Sequence, residues 1–150
     1  MTTPYTATPD LPTLRAGLVT TAESLGRLRG ILRDRLIPTA DPAVASRSKD
    51  VGISLFRVET VNGEVGSFHG TTLNGWNPRI TFLPSTGHHC TCPDWANRKR
   101  VCKHVVALAE NAIGHLVTKE NAAYQAVRLM DEKVAALQTE FHQTLRLVRV

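Results

Sequence analysis

The spacing of three cysteines and one histidine constrains this chain more than any other feature. Cys90-Thr91-Cys92 is followed after nine residues by Cys102-Lys103-His104, and these are all the cysteines the chain has. Three thiolates and one imidazole complete a tetrahedral zinc shell, and structural zinc sites of this type leave no coordination position for a substrate. The expectation is one structural Zn2+ held by Cys90, Cys92, Cys102 and His104. Local geometry agrees. Residues two apart on a strand point to one face, so Cys90 and Cys92 at a strand end can pinch one ion. On a continuous helix Cys102 and His104 would aim about 200° apart. Cys102 is therefore expected to end a loop and His104 to lie in the first helical turn, where free N–H groups can donate to a thiolate. Pro93-Asp94 turns the chain between the two pairs. His88 and His89 adjoin Cys90 and could replace His104, but they would have to reach back across the strand; they read as loop residues or as donors to the ligands. Cys-x-Cys is not the Cys-x-x-Cys arrangement of redox helices.

The string Cys90-Thr91-Cys92-Pro93-Asp94-Trp95, with Val101-Cys102-Lys103-His104 and the apolar run 105–108 behind it, resembles the SWIM-type zinc finger. That family's pattern is Cys-x-Cys, a variable spacer, then Cys-x-His, commonly with an aromatic after Pro-Asp. The resemblance covers residues 51–116 and is sharpest over 90–108. It implies a small β-β-α unit and a role in binding DNA or proteins, as in bacterial helicases, transposases and recombination accessory proteins.

Around this centre the chain reads as α+β: a small β-sheet plus helix zinc finger flanked by long N- and C-terminal amphipathic helices. Residues 1–10 are Thr/Pro-rich and loose. A helix over 11–38 follows from Leu11, Leu14, Leu18, Leu25, Leu28, Leu32 and Leu36, with Asp10 or Thr13 as cap and Pro38 as terminator. Residues 39–50 are polar and read as a linker. The finger domain spans 51–117. Its first strand, over 51–61, has Ile53, Leu55 and Val58 pointing inward; Asn62-Gly63 turns a hairpin; strands follow over 65–71 and 79–83. From Lys103 to Leu116, Val105, Leu108, Ala109, Ala112, Ile113 and Leu116 form one stripe that can cover the sheet.

The C-terminal segment, 118–150, carries a heptad seam: Ala123, Val127, Met130, Val134, Leu137, Phe141, Thr144 and Val148 recur in steps of four and three. Val127, Met130, Val134, Leu137 and Phe141 are the candidate assembly residues. The partner of the seam is open: the N-terminal helix in an antiparallel pair, a second copy, or another helical protein.

Charge points to nucleic acid, with DNA favoured. The chain carries a net +5, and Arg98, Lys99, Arg100 and Lys103 flank Cys102, suited to phosphate contacts without sequence discrimination. The competing reading is counter-charge, since zinc with three thiolates and a neutral imidazole carries a net −1. Arg27, Arg29, Arg33, Arg35, Arg146 and Arg149 add positive surface, and Trp76 and Trp95 could stack on bases or pack beside the zinc unit. No Gly-rich phosphate loop, Ser-His-Asp set or His-Glu-x-x-His string suggests an enzyme. No apolar run reaches the ~18 residues of a membrane helix, and no signal-peptide plan opens the chain. The expected location is intracellular, cytoplasmic or nucleoid/nuclear. The alternative function is a protein–protein adaptor in which zinc is purely structural.

Overall fold

The computed structural model describes residues 10–148; the expected loose N-terminus, apart from Asp10, and Arg149 lie outside the described residues. The elements run α1 (Leu11–Ile31), a π-helical turn (Leu32–Leu36), a 3-10 turn (Ile37–Thr39), α2 (Pro42–Ser48), β1 (Ile53–Val61), β2 (Glu64–Thr72), β3 (Arg79–Thr81), β4 (Gly87–His89), α3 (Pro93–Arg98) and α4 (Lys103–Val148). The fold is α+β, with one antiparallel sheet in the order β1-β2-β3-β4 and a long helix near each end of the chain. The chain divides into two compact units, residues 27–117 and the pair of segments 1–26 and 118–150.

Asp10 caps α1: its carboxylate accepts from the Thr13 N–H at 2.9 Å, and its carbonyl accepts from the Leu14 N–H. Pro38 explains how the helix ends. It has no N–H to give the carbonyl four residues back, and its ring crowds that carbonyl. The ladder widens over Leu32–Leu36 and then tightens to a 3-10 turn, where the Thr39 hydroxyl caps the Leu36 carbonyl at 2.6 Å. The stretch expected to be a plain linker holds α2. Pro42 at its first position is preset for a helix, and the buried Val44 and Ser48 anchor it; seven residues carry too little periodicity to show in the sequence.

Asn62 and Gly63 both have positive φ, 53° and 80°, as a two-residue hairpin turn requires. The β1–β2 register slips between Ile53 and Leu55 and again between Glu59 and Thr60. Such a bulge reverses the alternation of faces, and it corrects one expectation. Ile53, Phe56 and Val58 are the partly buried positions of β1, whereas Leu55 turns outward and is 68% exposed. Strand β4 also differs from expectation, which made His88 and His89 loop residues. Gly-His-His has little strand propensity of its own, but pairing with β3 fixes it: Ile80 faces His88 and Arg79 faces His89.

Phe68 and Ile80 are fully buried, as are Val105, Leu108 and Ala109 at the start of α4. Phe56 stacks on Phe68 with centroids 5.6 Å apart, and His115 of α4 lies against both rings. A Cβ on Gly70 would come within 3.0 Å of Leu108 Cδ1, so β2 and α4 approach closely there. Residues 104–109 are buried on every side, including Val106 and Ala107 outside the expected stripe. A helix buried all round lies at the centre of its core. One face of the sheet is thus covered and the other is open.

In the second unit, Arg15 of α1 grips the Asp131 carboxylate of α4 with two bonds, 2.8 and 3.2 Å. The pairing raises the arginine's pKa and lowers the carboxylate's. Gly26 and Thr118, the inner limits of the unit, lie comparable distances along the two helices from this pair, as antiparallel helices require. Ala22, Ala123 and Val127 are buried in the seam, and Met130 and Val134 are half-buried. Leu137 and Phe141 are exposed, 61% and 62%. The cause is length: α1 has four residues before Arg15, while α4 runs 17 past Asp131 to Val148. At ~1.5 Å per residue, α4 outlasts the described part of α1 by about 20 Å.

A carboxylate at a buried seam position has no partner. Val127→Asp should therefore destabilise the helical pair by about 2 kcal/mol or more, and Leu137→Asp should stay within about 0.5 kcal/mol of the parent. Thermal melts of the two variants check this; equal losses would contradict the described packing.

Candidate metal centre

Each ligand is delivered by a different structural device. Cys90 directly follows β4, whose pairing with β3 fixes its approach. Thr91 is held by the Asn77 N–H, which donates to its hydroxyl at 2.9 Å. Cys92 is extended (φ −72°, ψ 157°) and N-caps α3: the Trp95 N–H donates to its Sγ at 3.4 Å and the Ala96 N–H to its carbonyl at 3.1 Å. Lys99 then closes α3 in the left-handed conformation (φ 54°), its N–H donating to the Trp95 carbonyl. Cys102 precedes α4 and its carbonyl accepts the Val106 N–H at 3.1 Å, while His104 lies in the first turn. The loop-then-helix placement expected from the spacing is the one observed.

The four donor atoms lie within 4.8 Å of one another, and all four residues are buried. Donors on one tetrahedral zinc, at ~2.3 Å for sulfur and ~2.0–2.1 Å for nitrogen, would stand about 3.5–3.8 Å apart. Cys90 Sγ and His104 Nδ1 are 3.8 Å apart. The donor set, its burial and its dimensions fit one structural Zn2+, with His104 presenting Nδ1 to the ion.

The thiols show why a cation belongs there. The Cys102 thiol is pulled down to about 3, first by its hydrogen bond with Cys90 and also by His104 and the Val105 N–H, against the opposing effect of burial. The same bond pushes Cys90 up, and burial pushes Cys92 up. Zinc binds thiolates, so it displaces the thiol protons of the cluster when it binds. His88 stands beside this cluster. Burial lowers its pKa, with the Cys102 thiolate opposing, and its Nδ1 is buried with no hydrogen-bond partner among the described residues. Trp95 packs edge-on against His88 and His89, at 4.9 and 5.6 Å, so this tryptophan lies beside the zinc unit.

The four cations singled out in the sequence are placed around this centre. Arg98 pairs with Asp94 at 3.3 Å and Arg100 with Asp41 at 3.3 Å; all four side chains are exposed. The Lys99 ammonium lies 5.7 Å from the centroid of the Trp95 ring. Lys103 and Arg98 line a cleft of about 310 Å³ beside Cys92, Cys102 and His104. Arg47 of α2 also lines it. Sequence reasoning missed Arg47 because the segment carrying it read as a linker.

Residues 82–113 match the SWIM zinc finger family. That span holds both ligand pairs, whereas β1 and β2 lie outside it. No curated protein and no solved structure matches the chain.

Removing one ligand from a buried four-ligand site should release the metal and the folding energy that goes with it. Cys102→Ala should bind no stoichiometric zinc and lose the circular dichroism of the finger; full zinc content with an intact spectrum would show that another residue completes the shell.

Proposed function

We propose that the protein is a zinc-stabilised nucleic-acid-binding accessory protein, DNA being the favoured ligand, whose helical arms serve assembly. The observation that carries this reading is the exposed Arg98-Lys99-Arg100 turn, held between α3 and Cys102 by the metal ligands on either side. Arg98 and Arg100 are engaged by Asp94 and Asp41, but exposed ion pairs contribute only about 0–1 kcal/mol. A phosphate can replace such a partner at little cost. Lys99 is fixed by its backbone conformation and lies over Trp95, so its charge and a flat ring are offered together. SWIM zinc fingers can bind nucleic acids or proteins. With four protein ligands on the ion, no coordination position is left to activate water, which favours a binding role over an enzymatic one.

A second reading has its own observation. The seam runs on past the described part of α1, leaving Leu137, Phe141 and Val148 exposed. An adaptor would bind a helical partner or a second copy there, and zinc would serve the fold alone.

Replacing Arg98, Lys99 and Arg100 together by Ala should leave zinc bound and weaken nucleic-acid binding. With a duplex, the slope of log affinity against log salt should shrink by about 0.9 for each phosphate contact removed, nearly uniformly across sequences. Unchanged affinity and slope would assign these cations to the charge of the zinc cluster and favour the adaptor.

A further inference from the structure

The register of the sheet assembles a feature that no stretch of the sequence shows. Arg57 of β1 pairs with His69 of β2, His69 with Arg79 of β3, and Arg79 with His89 of β4. Directly paired residues point to the same face of a sheet. The four side chains therefore form one row across all four strands, on the face that α4 leaves open. At ~4.8 Å between strands the row spans about 14 Å.

Cations and imidazoles placed opposite one another on a sheet do not stabilise it, and like charges there are unfavourable. Among the described residues the row has ion pairs only at its β1 end, where Glu59 lies 3.5 Å from Arg57 and 3.4 Å from His69. Arg79 has no ion-pair partner among the described residues. All four residues line one open groove of about 700 Å³, together with Leu55 and Asn77, and none of its lining residues is acidic. Leu55 is there because of the bulge that turned it outward, so the groove offers an exposed apolar floor beside its cations. At the far end His89 packs on Trp95, which carries Lys99 above it. The row is thus continuous with the finger cations. Ser67 does not make an enzyme of this face: its hydroxyl and the Glu59 carboxylate both approach the same nitrogen, His69 Nε2, at 2.9 and 3.4 Å, whereas a charge-relay set needs them on opposite nitrogens.

We propose that this face is the seat of a single-stranded nucleic acid, with Arg57 and Arg79 on successive phosphates, one base resting on Leu55 beside the His69 ring and the strand running on toward the His89 ring. The proposal rests on the nucleic-acid reading above and deepens it. Histidine rings and apolar side chains can receive unstacked bases, and a cationic groove follows the backbone. Paired bases inside a duplex cannot reach the floor of the groove, so single strands are favoured.

The test compares the parent with Arg57→Gln/Arg79→Gln, each titrated with an oligodeoxythymidylate strand and with the same strand annealed to its complement, over a range of salt. Both arginines are exposed or unpaired, so zinc content and melting temperature should hold. The variant should bind the single strand at least about tenfold more weakly, with the salt slope reduced by about 1.4, two contacts at about 0.7 each. Its duplex affinity should change little, and Arg57→Lys/Arg79→Lys should recover much of the loss. Leu55→Asp should weaken single-strand binding without loss of fold. If the parent binds DNA but the Gln variant binds the single strand with unchanged affinity and slope, or loses single strand and duplex equally, the seat is refuted while the nucleic-acid reading stands. If the parent binds neither oligonucleotide, both fall. Displacement of the single strand by polyglutamate at matched charge would overturn the proposal in favour of an acidic protein partner.

Discussion

The tetrahedral junction between the end of β4 and the first turn of α4 is the constraint on which the rest of the finger unit depends. Strands β3 and β4 have three residues each, far below what a free-standing sheet needs. The helix that covers them begins at Lys103, one residue after a ligand. Structural zinc contributes about 10–16 kcal/mol in finger peptides at neutral pH, comparable with the whole stability of an ordinary domain, about 5–15 kcal/mol. One ion can therefore hold a sheet this small against a helix. The burial of residues 104–109 on all sides follows: the helix is fixed at its start by His104, and the core forms around that fixed point.

The metal also organises what surrounds it. Cys92 uses its thiolate twice, toward the ion and as the N-cap of α3, and α3 in turn presents Trp95 to the two histidines of β4. The net negative charge of a three-thiolate site makes neighbouring cations favourable in their own right. That is why the finger loop alone is ambiguous evidence for a polyanion. The row from Arg57 to His89 lies on the open face of the sheet, and among the described residues only Glu59, at its β1 end, pairs with it.

The ligand set was legible in the sequence because two pairs of Cys and His residues, each two apart, have few ways of sharing an ion; the choice of His104 over His88 and His89 rested on the reach each would need. The hairpin at Asn62-Gly63 and the amphipathic parts of α1 and α4 were legible because turn chemistry and periodicity are local. What could not be read depends on pairing across distance. The outward turn of Leu55 follows from a bulge that only the register with β2 defines. The strand character of Gly87–His89 comes from β3, and α2 is too short for a period. The Arg-His-Arg-His row takes one residue from each of four strands, so it exists only once the register is known. The heptad seam shows the opposite case: its period is plain in sequence, but how much of it is buried depends on where α1 begins relative to α4.

The central claim, that zinc coordination folds sheet and helix as one unit, is tested most directly by hydrogen exchange on metal-free protein titrated with zinc. Protection should rise together at Phe68, Ile80 and Leu108, in β2, β3 and α4, and saturate at one zinc per chain. Native-level protection of these amides before zinc is added, or a change confined to residues 90–104, would contradict it.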